Sequence, residues 1–529
     1  MRKKLVIPVL LLVFIILLPA KDEDVWRNSI DKISSMVSFI EDYYFQPVDY
    51  DELTYSSISG LLQMLDPHSH FLETSNLDRV KEEYKGKFYG LGIQIQKYED
   101  RLVVVSTIEG TPAQRLGIQA GDVITRINGE STRFITSTEA VEKLRGPKGT
   151  EVKITIIREG LDKPLEMTVV RGEVPLYSVP YAFILGGDTG YIFVRNFAET
   201  TTRELKEKLK DLSKRGMKKL ILDFRYNTGG PLLQAIEISD EFLFKGTLIV
   251  STDGRRKIYN KEYKAQYDNQ YEDLPLVVLI NRQTASASEI VAGAVQDNDR
   301  GIIVGETSWG KGLVQTIFPL SANAALALTT GRYLTPSGRT IQRDYTFFED
   351  YLFNRNDVPE EEREVRYTQA GRKVLGQGGI TPDFEVMDTI TQFTANLRFK
   401  GAFFSYGKKF AEKKTPLSKK YIFPQRGELA PDIPQGKRLF GYNFIIDSEV
   451  IEDFKNYLKE SKIGFEQDVL AKVEYEVKRE LRREIFSSVL GIDAGRKADS
   501  EVDPLVLKAI EVMPQASTLL KSKDDSSTL

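Results

Sequence analysis

The sequence predicts a multidomain α/β protein. Its 529 residues are enough for about three or four domains with substantial hydrophobic cores. Between about residues 190 and 305, apolar runs suited to buried strands alternate with amphipathic helical patterns, as in a parallel sheet covered by helices. A β-rich module precedes this region, and patterns of charged helices follow it.

The first 20 residues are typical of an export signal. Three basic residues precede an apolar run from Leu5 to Leu18, which is short for a spanning helix but suits the core of a signal peptide. Cleavage after Ala20 would place Leu18 where small residues are preferred, so retention of residues 1–20 as a membrane anchor stays open. In both cases we expect an exported protein.

The composition removes several classes of function. A net charge of −3 gives no general reason to expect a nucleic-acid partner. The chain has no cysteine, which excludes thiol nucleophiles, disulfides and cysteine-bound metals. Its two histidines, His68 and His70, lack a neighbouring carboxylate cluster, so we favour a structural role for them over a metal-dependent hydrolase. We therefore expect neither a metal nor another cofactor.

Two regions precede the α/β part. Residues 24–84 carry apolar positions at intervals of three and four residues, which predicts a helical amino-terminal region. Residues 85–172 carry strand signals at Leu102–Val105 and Val152–Ile157, with a glycine-bearing loop before the first of them. The loop consists of Tyr89, Gly90, Leu91 and Gly92. Taken alone, its glycines fit an ordinary turn.

The first candidate for chemistry is Ser286. The apolar run Leu276–Ile280 is typical of a buried strand, and Ser286 and Glu289 follow it with capping-box spacing, which predicts a helix start. Unpaired N–H groups and the positive end of the helix dipole favour a negative oxygen there. A serine at a helix start usually serves only as a cap, and the local sequence does not choose between Ser286 and Ser288.

Both histidines lie more than 200 residues before Ser286, so a Ser-His-Asp triad is possible but rests on very few candidates, and Lys311 is the better candidate for a base. Glycines on both sides of Lys311 allow close approach of another backbone. If the chain is extended here, Lys311, Leu313 and Gln315 lie on one face, where the Gln315 amide can orient the amine. A lysine base must be neutral, so this hypothesis requires surroundings that lower its pKa from the usual value of about 10.4.

A second loop is expected beside the serine. The run Leu220–Leu222 is typical of another buried strand, and it ends in a polar segment that closes with Gly229 and Gly230. Sites in parallel sheets lie beyond the carboxyl ends of the strands, so residues 225–230 and 281–286 should meet at one edge. Taken alone, the glycine pair fits a tight turn from strand to helix.

The runs Thr284–Ile290 and Gly310–Gln315, with the 25 residues that separate positions 286 and 311, resemble the carboxyl-terminal processing proteases. This family, also called tail-specific proteases, consists of serine peptidases of family S41 that use a Ser-Lys dyad. The resemblance implies Ser286 as the nucleophile, Lys311 as the general base and Gln315 as the residue that positions the base. It thereby chooses the first of the two candidate serines.

The same resemblance assigns the surrounding groups. It implies an oxyanion hole formed by the N–H of Ala287 and that of Gly229 or Gly230. Residues 85–172 resemble a PDZ domain, in which the Tyr89–Gly92 loop would receive the terminal carboxylate of a peptide that adds a strand to the sheet.

The rest of the chain extends this plan. The resemblance implies an α/β protease core of the crotonase/ClpP-like kind at residues 173–387, interrupted by a polar insertion at 343–377. Residues 388–520 are predicted to form a helical extension, and residues 521–529 a disordered tail. Apolar residues near the end exceed what a solvated tail tolerates, so we expect them to self-associate or to dock on the core. They are Leu505, Val506, Ile510, Val512 and Met513.

Together these observations predict an exported serine endopeptidase that binds protein substrates by their carboxyl-terminal tails and cleaves within those tails. We expect it in the bacterial periplasm or on the extracytoplasmic face of the inner membrane. A regulatory or adaptor partner, membrane association through residues 1–20 and homo-oligomerisation remain open. The alternative is a catalytically inactive, PDZ-containing binding or adaptor protein of the periplasm, and the intact Ser286, Lys311 and Gln315 argue against it.

Overall fold

The computed structural model describes most of the chain after residue 22. The described residues are 23–98, 100–321, 323–346, 351, 358–424, 436–441 and 443–526. The chain divides after Phe71 into two compact units. The expected signal or anchor at residues 1–20 lies outside the described residues. Among those that are described, no helix is both long and apolar enough to cross a membrane.

The first unit is helical, as the sequence predicts. The elements at this end of the chain are α1 (Glu23–Tyr43), α2 (Tyr50–Gln63) and, across the division, β1 (His70–Leu72). The carboxylate of Asp49 caps α2 by accepting the N–H groups of Asp51 and Glu52. Several large apolar side chains of α1 are exposed, including Met36 and Phe39.

The two histidines lie in a turn held by Asp66. Its carboxylate accepts the N–H of His68 at 2.8 Å, and the N–H and hydroxyl of Ser69 at 2.8 and 2.7 Å. His70 Nδ1 lies 2.7 Å from the carbonyl oxygen of His68. In the described part of the chain, no group of three or more His, Cys, Asp or Glu could hold a metal ion. These contacts fit the structural interpretation of the histidines.

The second unit begins with α3 (Thr74–Lys85), which falls in the predicted helical region, and continues with the β-rich module. The elements of the module are β2 (Lys87–Gly90), β3 (Ile93–Tyr98), β4 (Arg101–Thr107), α4 (Pro112–Arg115), β5 (Val123–Ile127), β6 (Glu130–Ser131), α5 (Ser137–Leu144), β7 (Glu151–Ile157), β8 (Leu165–Val170) and β9 (Gly172–Pro175). Strands β3, β4, β5, β7 and β8 form one antiparallel sheet in that order, β6 pairs with β5, and β2 pairs with β9. Along β7, Val152, Ile154 and Ile156 are buried while Glu151 and Lys153 are exposed, as in a sheet with one solvated face.

The α-helices and strands of the core follow. They are β10 (Tyr181–Leu185), β11 (Thr189–Phe193), α6 (Thr201–Lys214), β12 (Lys219–Asp223), α7 (Leu232–Asp240), β13 (Leu248–Asp253), β14 (Lys261–Lys264), β15 (Leu276–Ile280), α8 (Ala287–Asp297), β16 (Ile302–Gly305), β17 (Leu313–Pro319), β18 (Ala325–Leu334), β19 (Val365–Tyr367), β20 (Lys373–Leu375) and β21 (Phe384–Glu385). The central sheet has the order β10-β11-β12-β15-β16-β21, in which only β10 runs antiparallel to its neighbour. The predicted parallel sheet and the predicted strand Leu276–Ile280 are confirmed.

Successive side chains of the central strands enter two different hydrophobic cores. Leu220 and Leu222 of β12 pack on the side of the sheet covered by α6, α7 and α8. Ile221 between them packs on the opposite side, in a cluster that contains Leu505 and Val512 from the end of the chain. Both faces of the sheet are therefore covered, which explains why its strands are continuous apolar runs.

A second, antiparallel sheet borders the central one. Strand β13 pairs with β14 and β18, and β17 pairs with β18, with a shift of register between Val314 and Gln315. The insertion predicted at 343–377 contributes β19 and β20, which form a hairpin. Arg343 is the first residue of the insertion, and its guanidinium lies 4.5 Å from the ring centre of Trp309. The insertion therefore covers the segment that leads to Lys311.

The helical extension predicted after residue 387 has its own core. Its elements are α9 (Gln392–Phe399), α10 (Ala402–Ala411), β22 (Tyr421–Ile422), β23 (Arg438–Leu439), α11 (Ser448–Glu460), α12 (Gln467–Lys472), α13 (Glu474–Leu490), α14 (Ile492–Ser500) and α15 (Pro504–Ser526). Buried aromatic rings such as Phe403, Tyr406 and Phe454 form the centre of its apolar cluster.

The last helix, α15, docks on the central sheet, which confirms one of the two arrangements predicted for its apolar residues. Leu505, Val506, Val512 and Met513 are buried against the sheet, whereas Ile510 is 39% exposed. Helix α15 extends to Ser526, and disorder of the tail from Lys521 stays a prediction. Residues 527–529 lie outside the described residues.

Candidate active site

Three loops meet at the carboxyl edge of the central sheet. We call them the glycine loop (residues 224–230, after β12), the serine loop (281–286, after β15) and the lysine loop (306–312, after β16). The N–H of Ala285 donates to the carbonyl of Asn227 at 2.9 Å, and the N–H of Trp309 donates to the carbonyl of Thr284 at 2.8 Å. The serine loop therefore lies between the other two and is hydrogen-bonded to both, as adjacent parallel strands predict.

Ser286 occupies a strained turn at the start of α8. Its backbone has φ 56° and ψ −115°, which is rare for a residue with a side chain and costs about 1–3 kcal/mol. The N–H of Ser286 donates to the Glu289 carboxylate at 2.7 Å. A β-carbon on Gly229 would lie only 2.8 Å from the β-carbon of Ser286, so the glycine loop approaches the serine as only a glycine permits.

Glu289 joins the serine loop to the lysine loop. One carboxylate oxygen accepts the N–H groups of Ser286 at 2.7 Å and Lys311 at 3.0 Å. The other accepts the hydroxyl of Ser308 at 2.5 Å and the N–H of Gly310 at 2.7 Å. Burial raises the pKa of Glu289 to about 7, against the opposing effect of these hydrogen bonds. One carboxylate thus fixes the backbone of both Ser286 and Lys311.

Tyr333 of β18 forms a second link between the same two residues. Its buried hydroxyl donates to the carbonyl of Lys311 at 2.6 Å and lies 3.3 Å from that of Ser286. Its N–H donates to the carbonyl of Gly312 at 2.9 Å. Burial raises the pKa of Tyr333 well above its ordinary value, so the hydroxyl stays a donor at neutral pH.

The predicted catalytic residues face one cleft of about 530 Å³. Ser286, Lys311 and Gln315 line it, and Lys311 is half-buried there beside Leu313 and Val314. Lys311, Leu313 and Gln315 all line the cleft, and so does Val314, beside the shift of register before Gln315. The Gln315 amide nitrogen donates to Thr329 Oγ1 at 3.3 Å, which holds the side chain from the neighbouring strand.

The candidate oxyanion donors differ in whether their N–H groups already bind an acceptor within the protein. The N–H of Gly229 donates to the Asn227 side-chain oxygen at 2.9 Å, and the amide of this buried asparagine donates to the Val194 carbonyl at 2.8 Å. Within the described residues, neither the Gly230 N–H nor the Ala287 N–H donates a hydrogen bond to the protein. Both glycines and Ala287 line the cleft. The geometry therefore favours Gly230 over Gly229 as a donor to a ligand.

The predicted carboxylate-binding loop is part strand and part turn. Tyr89 and Gly90 end β2, and Leu91 and Gly92 connect it to β3. The carbonyls of Leu91 and Gly92 accept N–H groups from Ala113 and Ile108, both at 2.9 Å, while their own N–H groups donate to no other described residue. The loop is therefore fixed in place with two adjacent N–H groups that can receive an anion.

Residues before and within the β-rich module also line the cleft. Among them are Glu83 and Tyr84 of α3 and Arg145 of the module. The Arg145 guanidinium pairs with Glu82 at 3.1 Å and lies 4.1 Å from the ring centre of Phe88 in β2. The cleft that contains Ser286 thus extends to Arg145, which lies against β2 of this module.

Three residues of the site were not found by sequence reasoning in their observed roles. Glu289 was recognised only as part of a capping box, and its contact with Lys311 gives no local signal. Asn227 stands between a buried strand and a glycine pair, a position where an asparagine often organises a turn. Tyr333 comes from a strand that approaches the site only in the folded chain.

A serine at a strained helix start beside a lysine, in a cleft bordered by a small β-rich module, is the arrangement of a serine peptidase. A model of the PDZ domain matches residues 80–157, and a model of peptidase family S41 matches residues 188–346. The fold and the cleft therefore define a PDZ-containing serine peptidase.

Comparison with individual proteins gives the family. The chain is 43% identical over 298 residues to the carboxy-terminal-processing protease of Bartonella bacilliformis, which covers 56% of this chain and 68% of that protein. It is 33% identical over 328 residues to the carboxy-terminal processing protease CtpA of Bacillus subtilis, covering 62% and 70%. A solved photosystem II D1 C-terminal processing protease is 26% identical, with a TM-score of 0.36, over 69% of this chain and 92% of that one. The chain belongs to the carboxy-terminal processing proteases of peptidase family S41.

Proposed function

We propose that this serine peptidase cleaves with Ser286 as nucleophile and Lys311 as general base. The observation that carries the proposal is that one buried carboxylate, Glu289, holds the backbone of both residues while their side chains line the same cleft. Neutral Lys311 takes the proton of the Ser286 hydroxyl as its oxygen attacks the scissile carbonyl, and returns that proton to the leaving amine. Gln315, held from Thr329, is the residue that orients the amine.

The negative oxygen of the tetrahedral intermediate would be bound by the N–H groups of Ala287 and Gly230. Support comes from the N-terminal position of Ala287 in α8, where the helix dipole favours negative charge. Engagement of the Gly229 N–H by Asn227 supports the choice of Gly230. Water in the same cleft would then hydrolyse the acyl-enzyme, with Lys311 again acting as base.

The substrates we propose are the carboxyl-terminal tails of exported proteins. Support comes from the two adjacent N–H groups of Leu91 and Gly92, which suit a terminal carboxylate, and from the extension of the cleft to the base of the same module. A peptide bound at this loop would add to the edge of the sheet and continue toward Ser286.

The test uses one tagged protein substrate in two forms, with a free and with an amidated carboxyl terminus. The free form should be cleaved and the amidated form cleaved at least about tenfold more slowly, because the N–H groups of the loop lose their charged partner. Ser286→Ala should abolish cleavage of both. Equal rates for the two forms would refute terminal recognition while leaving the peptidase intact.

Ser288→Ala is the matched control for the nucleophile. The buried Ser288 hydroxyl donates to the Asn227 carbonyl at 3.1 Å and does not line the cleft. This variant should therefore remain active with somewhat lower stability. Cleavage by purified Ser286→Ala would refute Ser286 as the nucleophile, whereas an inactive wild type would favour the alternative of a binding or adaptor protein.

We further propose export to the periplasm or the extracytoplasmic face of the inner membrane, on the strength of the basic and apolar pattern of residues 1–20. Self-association is proposed through α1, whose exposed apolar residues Ile30, Ile33 and Met36 recur at helical spacing. Cell fractionation tests the first proposal. Sedimentation of the wild type and of Ile33→Glu tests the second, and an unchanged mass distribution would reject it.

A further inference from the structure

A chain of buried ion pairs joins the glycine loop to the helical extension. Arg225 donates from Nε and Nη2 to Asp223, the last residue of β12, at 3.0 and 2.6 Å. Its Nη1 donates to Asp503, 278 residues further along the chain, at 2.9 Å. The carboxylate-bearing side chains of Asp223 and Asp503 are only 1% and 3% exposed. The glycine loop is therefore anchored to Asp223 in the protease core and to Asp503 in the helical extension.

Asp503 is itself held rigidly. It directly precedes α15, whose first buried residue, Leu505, donates its N–H to Asp503 at 2.9 Å. The second cation on Asp503 is Arg479 of α13, at 2.7 Å, and Arg479 also pairs with Asp388 and Asp499 at 2.7 and 2.6 Å. Burial alone would raise the pKa of Asp503, but the two arginines lower it, so the carboxylate is charged at neutral pH.

The segment next to this anchor is strained. Tyr226 has φ 64°, a left-handed conformation that disfavours residues with side chains, and its own side chain is 59% exposed. Such a conformation persists only where the surroundings determine it. Arg225, the residue before Tyr226, is fixed by its pairs with Asp223 and Asp503, and Asn227, the residue after it, by its donation to the Val194 carbonyl. The N–H of Tyr226 itself donates to the Asn281 side-chain oxygen at 3.0 Å. Together these contacts hold the backbone of the glycine loop before Gly230.

We propose that Asp503, held by Arg479, is a positioning residue of the peptidase reaction. Through Arg225 it fixes the glycine loop so that the Gly230 N–H is aimed at the oxyanion. The inference rests on the oxyanion hole proposed above and adds to it that the helical extension is a working part of the active site. The extension does not touch Ser286; it acts on the loop that faces it.

The test compares two variants of the full-length protein. Asp503→Asn keeps the size of the side chain and removes the charge that Arg225 needs. Glu501→Gln is the matched control, because Glu501 pairs at 2.7 Å with Arg482 of α13, two residues away and wholly within the extension. Both variants lose one ion pair of the extension, but only the first loses contact with the glycine loop.

A misplaced oxyanion donor should lower kcat and leave substrate binding nearly unchanged. Removal of a whole donor lowers kcat by about 10²–10³, so Asp503→Asn should lower it about 10- to 100-fold with KM within about twofold. The rate of Ser286 labelling by a fluorophosphonate, which needs the nucleophile and the oxyanion hole but not the PDZ loop, should fall in parallel. Glu501→Gln should match the wild type in all three measurements.

Further outcomes separate this inference from the proposed function. Full kcat and labelling in folded Asp503→Asn would overturn the inference and leave the peptidase proposal standing, whereas activity in Ser286→Ala would overturn the peptidase proposal itself. Equal losses in Glu501→Gln would show a merely structural role and also overturn it. If Asp503→Asn does not fold, Arg225→Lys serves instead, since a single ammonium cannot bridge Asp223 and Asp503 as the guanidinium does. An unchanged kcat in that variant would contradict the inference.

Discussion

Glu289 and Asp503 are both buried carboxylates that hold loops of the active site, but Glu289 binds neutral hydrogen-bond donors and Asp503 binds cations. Glu289 accepts three N–H groups and one hydroxyl. Asp503 pairs with the guanidinium groups of Arg225 and Arg479. Burial raises the pKa of Glu289 to about 7, whereas the two cations outweigh burial and lower that of Asp503. At Glu289 burial outweighs the hydrogen bonds that favour the charged form, whereas at Asp503 the two guanidinium groups outweigh burial.

The two carboxylates also differ in the distance along the chain over which they act. Glu289 lies three residues after Ser286 and fixes it within one helical turn. Asp503 reaches Arg225 across 278 residues. The serine is therefore positioned by a short segment, and the glycine loop that faces it is positioned partly by a separate helical region.

The largest effect is expected for Lys311→Arg, which separates positioning from chemistry. Arginine keeps the backbone N–H that Glu289 accepts but remains protonated, so it cannot serve as a base. We expect kcat to fall by about 10³-fold or more, with the free energy of unfolding within about 1 kcal/mol of the wild type. Peptide hydrolysis and urea unfolding measure the two quantities. An active, folded Lys311→Arg enzyme would remove Lys311 from the role of base.

Glu289→Gln should give the next largest effect. The four donors around Glu289 share its two carboxylate oxygens, and the glutamine amide would replace one of these oxygens by a nitrogen that cannot accept. We expect about a 10²-fold loss of kcat and a loss of about 3 kcal/mol in unfolding free energy. Glu306→Gln is the control, since Glu306 lies in the same lysine loop but pairs at 2.7 Å with the exposed Arg282. The control should lose less than about 1 kcal/mol. Equal effects in the two variants would show that the four donors do not set the role of Glu289.

The pH dependence of stability should separate the two carboxylates. The pKa of Glu289 rises from 4.5 to about 7 on folding, so between these values the folded protein binds more protons and loses stability as the pH rises. The loss should reach about 3 kcal/mol by pH 7 and be absent from Glu289→Gln. The pKa of Asp503 is lowered instead, so this carboxylate stabilises the folded protein at pH values above its ordinary pKa. That stabilisation is lost as the pH falls through the lowered pKa. Urea unfolding at several pH values measures this difference. If the pKa of Glu289 does not rise on folding, the unfolding free energies of the wild type and of Glu289→Gln would change with pH in parallel.

The smallest effect is expected for Tyr333→Phe. The change removes the hydroxyl that bonds the Lys311 carbonyl and leaves the ring in its buried site. One neutral hydrogen bond contributes about 1 kcal/mol, so stability should fall by about that amount and kcat by a few fold, because Glu289 still holds both residues. A loss of activity as large as that of Glu289→Gln would mean that Tyr333, and not the carboxylate, is the principal link between Ser286 and Lys311.

Much of the fold was predictable because it depends on local patterns. The apolar run Leu276–Ile280 could be only a buried strand or helix, and its length and β-branched residues favoured the strand that the structure contains. The alternation of strands and helices predicted the parallel sheet, and the edge of that sheet predicted the meeting of the glycine and serine loops.

The sequence by itself determined which groups could act: with no cysteine and two distant histidines, Ser286 and Lys311 were the candidates, and family motifs chose between neighbouring serines. Only the tertiary structure decided how they are held. Asn227 engages the Gly229 N–H, Glu289 reaches Lys311, and Asp503 reaches Arg225 through contacts that no periodicity encodes. The physical reason is that periodicity reports which face of an element is buried, whereas hydrogen bonds and ion pairs depend on distances of a few ångströms between elements that only folding brings together.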